Sequence, residues 1–291
     1  MTIRNEGTTS YAHVVDLDAM RPQIDALVAE IVSSALSAEM FRQALAAGMN
    51  EIASVLRAVP TAEGRLLERG IGLVARGNPD LVVLTDNLRL PVTKAASELV
   101  AMNDPSLVRS LSLDADNGGR KSYTPDLLIL NRPTKVAHLV DVKRSLGSYE
   151  VSRIAELKQR MLAAALVVPD LLFREHRRLH VEEVRVVILN AENQRTDVEG
   201  GVWPLSHLDH LVEATGAGRL IEHLRGLFRD QVEANWLAAL AAHTASVANL
   251  RHAPGNAADP IVMLPEAMAD EIASRVPVSI GFARPPRIAG A

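Results

Sequence analysis

The stretch "YTPDLLILNRPTKVAHLVDVKRS", residues 123–145, decides how the chain is read. Two apolar, β-branched runs flank an Asn-Arg-Pro break, which is the pattern of two strands joined by a turn. The first run opens on Pro125-Asp126, and the second closes on Asp141-Val142-Lys143. With strands at about 124–131 and 135–143 and a turn centred on Arg132-Pro133, Asp126 lies opposite Leu139. Side chains alternate along a strand, so Asp141 and Lys143 then share the face of Asp126, while Val142 points into the core. A one-residue change in the turn reverses that parity, so the geometry is an expectation.

Two carboxylates on one surface suit a hard divalent cation bound through oxygen, and Mg²⁺ typically keeps several of its waters. A lysine beside them can orient a water and neutralise charge that develops on a phosphate. That set of groups suits phosphodiester hydrolysis.

Outward from the hairpin the chain changes character. Residues 16–58 are rich in Ala, Leu, Met and Glu at three-to-four spacing and predict helix, stopped at Pro60. A further helix is expected from Thr61 to Gly77, a short β-branched run at 79–84 and another helix at 92–103. Strand-like runs follow at 106–114, within the hairpin and at 181–190, with an amphipathic helix at 148–168 before the last. Helix returns over about 205–250. These segments predict three regions: 1–60 helical, 61–195 an α/β core, and 196–291 helical with a tail.

The Pro-Asp, the 14-residue gap and the Asp-Val-Lys resemble the signature of the PD-(D/E)xK nuclease superfamily. The resemblance covers roughly residues 92–190. It implies a restriction-endonuclease-like α/β core of order α-β-β-β-α-β, flanked here by N- and C-terminal helical segments. Carried over, it makes Asp126 and Asp141 metal ligands, Lys143 the catalytic lysine, and Mg²⁺ or Mn²⁺ the cofactor. The family often adds a glutamate from the helix before the first strand, and Glu98 in "KAASELVAMN" fits best, with Glu68 in "LLERGIG" as the alternative. Lys158 or Gln159 would be the polar contribution of the following helix. The implied activity is hydrolysis of DNA; the alternative is a catalytically inactive module of this fold used for DNA binding or protein assembly. One site cuts one strand, so a homodimer is a natural way to cut both, and the helical flanks suit a larger complex.

A second Pro-Asp at 79–80 opens the apolar "LVVL", but its follow-up "SELV" has Val100 where a lysine is needed. Asp80 therefore reads as a strand-start residue. The chain carries a net charge of −4, yet residues 105–165 hold ten basic and six acidic side chains. Arg120, Lys121, Arg144, Arg153 and Lys158 are the expected phosphate contacts. His207/His210 and His176/His180 fall at helical spacings but lack a recognisable third ligand, and a structural role is expected for them. With no cysteine, no GxSxG and no phosphate-binding loop, covalent nucleophilic and P-loop chemistry are not favoured. The N-terminus shows no basic start followed by an apolar run, and no apolar stretch nears bilayer length, so a cytoplasmic protein without membrane contact is expected.

Overall fold

The computed structural model describes residues 11–85, 88–103, 111–115, 121–176 and 178–252. In chain order the elements begin with β1 (His13–Val14), α1 (Leu17–Ala35), α2 (Ala38–Ala47) and α3 (Met49–Arg76). Then come β2 (Leu81–Leu84), β3 (Leu90–Val92), α4 (Lys94–Met102), β4 (Lys121–Tyr123), β5 (Leu127–Asn131) and β6 (Val136–Lys143). The chain continues through α5 (Val151–Ala165), α6 (Val168–Glu175), β7 (Glu183–Asn190) and β8 (Val202–Pro204). A turn of 3₁₀ helix, α7 (Leu208–Val212), β9 (Ala214–Thr215) and α8 (Ala217–His252) complete it. Residues up to Thr244 form one compact unit; of the second, Ala245–Ala291, the described part is the end of α8. No helix among the described residues is long and apolar enough to cross a membrane.

The fold is mixed α/β around one five-stranded mixed sheet of order β2-β5-β6-β7-β8. Strands β2, β5 and β6 run as an antiparallel meander. Strand β7 returns parallel to β6 by way of α5 and α6, and β8 adds parallel to β7. Alternation along the strands divides the core in two. Leu127, Ile129, Val140, Val142, Val187 and Leu189 pack against α1, α3 and α8. Leu128, Leu130, Ala137, Leu139 and Ile188 pack against α4, α5 and α6 on the other face.

Several expectations are corrected here. The helix expected over 16–58 is three helices. Ser37 caps α2 by accepting from the Met40 amide, and Gly48, at φ 104°, turns the chain between α2 and α3. Pro60 does not stop a helix but lies inside the 28-residue α3, so the region boundary expected at 60 falls within an element. The strand expected at 106–114 does not form over 111–114, and residues 106–110 lie outside the described residues. Its place in the meander is taken by β2, the "LVVL" run read as a bare strand start, which pairs along its whole length with β5. The helix preceding the meander is therefore α3 rather than α4, and β3, α4 and β4 are an excursion between β2 and β5.

Candidate functional site

The hairpin of β5 and β6 forms with a register two residues from the expected one. Leu128 faces Leu139 and Leu127 faces Val140, because four residues, Arg132–Lys135, make the turn. Asn131 Oδ1 accepts from the Thr134 amide at 2.9 Å, and Lys135 takes a left-handed φ of 55°. A shift of two keeps the parity. The Asp126 amide donates to the Val140 carbonyl at 3.1 Å, and continuing the ladder by one residue sets Asp126 directly across from Asp141. The sequence reading had these two diagonal.

Each carboxylate is held in a definite way. Asp126 Oδ2 accepts from the Val142 amide at 2.6 Å, which ties its carboxylate to the backbone of the neighbouring strand. Asp141 is 5% exposed. Its Oδ2 accepts from the Tyr123 hydroxyl at 2.8 Å. Its buried Oδ1 accepts no hydrogen bond of ordinary geometry and lies against Lys143 Nζ.

Glu68, on the penultimate turns of α3, joins these groups. It feels the charges of Lys143, Asp141 and Arg65, and burial pushes its carboxyl above the usual range. Burial pushes Asp126 up to about 7, with the Asp141 charge adding to the rise and the Val142 amide opposing it. Burial works against the charged form of Lys143, but Asp141 and Asp126 outweigh it and the ammonium is held above its ordinary value. Tyr123 is pushed far up by burial and by the charge of Asp141, so its hydroxyl stays a donor. The arrangement is a crowded set of acids with one fixed cation. Asp126 and Glu68 line a cleft of about 510 Å³ between α1, α3 and the residue after β2, together with Arg69, Arg76 and Thr85.

Glu98 is not brought to this site. Its helix α4 packs through Ala96 and Val100 into the other core, and its carboxylate pairs with Lys94 at 3.5 Å on the surface. The correction follows from the swap of strands: once β2 opens the meander, the helix before it is α3, and that helix carries Glu68. Lys158 reaches Asp197 at 3.3 Å instead, and Gln159 is exposed on α5. Arg144 is engaged with Glu192 at 2.6 Å, and the Arg153 guanidinium lies 6.0 Å from the centre of the Tyr149 ring. Lys121 is exposed on β4, and Arg120 lies outside the described residues. Tyr123 went unread in the sequence, although it heads the quoted stretch. An aromatic hydroxyl entering an apolar run was the available signal, because a buried phenol needs a partner.

Among the described residues no group of three or more His, Asp or Glu side chains stands ready to hold a metal ion. The donor chemistry nevertheless fits a hard divalent cation, because Mg²⁺ is commonly held by one or two carboxylates and keeps its waters. Asp126 and Asp141 supply that pair, and a cation there would share the buried Asp141 Oδ1 with the Lys143 ammonium that lies against it. No family model matches the chain, and neither a curated protein nor a solved structure matches it.

Proposed function

We propose that the chain is a metal-dependent nuclease hydrolysing DNA phosphodiester bonds. One observation carries the reading: Asp126 and the buried Asp141 meet at the end of the β5–β6 ladder with Lys143 against Asp141, and Asp126 and Glu68 open onto a cleft. The order α3-β2-β5-β6-α5-β7 supports it, since this is the α-β-β-β-α-β order that the sequence resemblance implies.

Asp126 and Asp141 would hold Mg²⁺ or Mn²⁺. When bound, such an ion polarises a phosphoryl oxygen and lowers the pKa of a bound water. Lys143 stays charged at neutral pH because its pKa is raised, so it serves as a hydrogen-bond donor and as counter-charge to the phosphate, not as a base. Glu68, pushed up by burial, is the better proton acceptor for the attacking water. Tyr123 fixes the Asp141 carboxylate by holding one oxygen.

A second reading, a catalytically silent module of the same architecture, has one observation in its favour: Tyr123 and Lys143 already engage both Asp141 oxygens. Incubation of supercoiled, linear and single-stranded DNA with Mg²⁺ or Mn²⁺ separates the two. The nuclease reading expects cleavage that falls by about 100-fold or more in Asp141→Asn, Lys143→Met and Glu68→Gln. Glu98→Gln is expected to cut like the wild type. Intact substrates throughout, or equal cutting by all variants, would sink the catalytic assignment.

A further inference from the structure

The cleft that reaches Asp126 and Glu68 does not end at the site. A second cleft of about 490 Å³ adjoins it along α1 and α3, and Glu30 and Arg69 line both. The second is also lined by Arg57 and Arg65, and the first by Arg76. At 100° per residue, Arg57, Arg65, Arg69 and Arg76 fall within an arc of about 120° on α3 and span about 28 Å of its length. All four are exposed.

Their engagement differs. Arg57 and Arg65 make no ion pair or side-chain hydrogen bond among the described residues, and Arg65 acts electrostatically on Glu68. Arg76 donates to the Thr85 hydroxyl at 2.8 Å, an uncharged partner. Arg69 forms a two-pronged pair with Glu30 at 2.6 and 2.8 Å, where the clefts meet. Two of four aligned guanidinium groups thus hold no hydrogen-bonded anion in a chain that is acidic overall.

We propose that this α1–α3 trough binds one strand of nucleic acid through its phosphates and leads it to Asp126 and Glu68; the proposal rests on the nuclease reading. Guanidinium groups suit phosphate oxygens by shape and charge. No aromatic side chain lines either cleft, so recognition runs through the backbone and not through stacked bases. Helices packed on each other lie about 8–10 Å apart, and a trough between them admits one backbone and not a duplex. Glu30 stands where a phosphate would sit on Arg69, so strand entry exchanges one anion for another.

Anisotropy of a fluorescein-labelled 15-nucleotide oligo-dT, titrated in EDTA at several salt concentrations, tests this without the metal. Arg57→Gln/Arg65→Gln is expected to weaken binding and to lower the log–log salt slope by about 1.4, or about 0.7 per lost phosphate contact on a single strand. Glu30→Gln is expected to tighten binding several-fold by releasing Arg69. Arg42→Gln, on α2, paired with Glu39 and lining neither cleft, is the single-charge control expected to change nothing. Unchanged affinity and slope in the double variant, an equal loss in the control, or equal affinity for the corresponding duplex would overturn the proposal. Adding Mg²⁺ to the same wild-type complex keeps the two readings apart. Arginine-dependent binding without cleavage supports the trough and removes the nuclease, whereas cleavage with arginine-independent binding removes the trough alone.

Discussion

Asp126 is a carboxylate whose chemistry departs far from its free form. Its folded pKa of about 7 exceeds the ordinary 3.8, because burial and the facing Asp141 disfavour its charge. A raised carboxylate contributes stability that is complete below about 3.8 and is lost as pH climbs from there through 7. Above pH 7 the fold therefore carries a strained pair of acids, and Asp126→Asn should be more stable than the wild type by an amount on the order of 4 kcal/mol. Thermal melts at pH 5 and pH 8 check this, with the larger gain expected at the higher pH. A divalent cation held there, as the proposed function requires, would relieve the same strain. At a concentration 100 times its Kd, Mg²⁺ should stabilise the wild type at pH 8 by about 2.7 kcal/mol and should do far less for Asp126→Asn. A Mg²⁺ response equal in both proteins would count against Asp126 as a ligand.

At the scale of elements, β6 carries most of the chemistry, since it presents Asp141 and Lys143 at one end and His138 in its middle. His138 is held neutral, at about 4, by burial first and by the Arg185 charge second, with Glu183 opposing. Lowered from 6.5, it contributes stability that is full above about 6.5 and is lost as pH falls toward 4, a loss of about 3 kcal/mol. Urea unfolding from pH 7 to pH 4 should show that decline, and His138→Leu should flatten it. The sequence made β5, β6, α5 and β7 legible because apolar alternation and amphipathic periodicity are local signals. It also placed Asp126, Asp141 and Lys143 on one face, since a two-residue error in register leaves parity intact. What it missed depends on distant pairing. "LVVL" at 81–84 reads the same as a solitary strand until β5 lies against it, and only then does the helix before it become the one that bears Glu68. Pro60 misled for a related reason: the expected helix break yields to the burial of Ala62, Leu66, Leu67 and Ile71 just beyond it.

For the molecule as a whole, the helical ends are not appendages. Leu220, Ile221, Leu224 and Phe228 of α8 share one core with Ile24, Val28 and Ile31 of α1, with α3 and with one face of the sheet. Arg225 reaches from α8 to Glu63 of α3 at 2.8 Å and to the Ala191 carbonyl after β7 at 2.9 Å. The regions expected at 1–60 and 196–291 therefore hold α3, and with it Glu68, against the sheet. Phe228→Ala should lower unfolding free energy by about 3–5 kcal/mol, a loss read by chemical denaturation. A chain ending at Pro204 should fail to give a cooperative melt, whereas a sharp transition in that fragment would show a core that stands without α8.

The four-residue turn Arg132–Lys135 is exposed at its first three positions and lies at the opposite end of the hairpin from Asp126 and Asp141, and by ordinary standards it is where a protein tolerates change. Its length is nonetheless what sets Asp126 opposite Asp141 at the far end of the hairpin. Residue identity there is free while residue count is not. Deleting Thr134 should rotate one strand's faces relative to the other and abolish the cleavage proposed for this chain, while Arg132→Ala should leave it intact, which makes the turn a length gauge for a site it never meets.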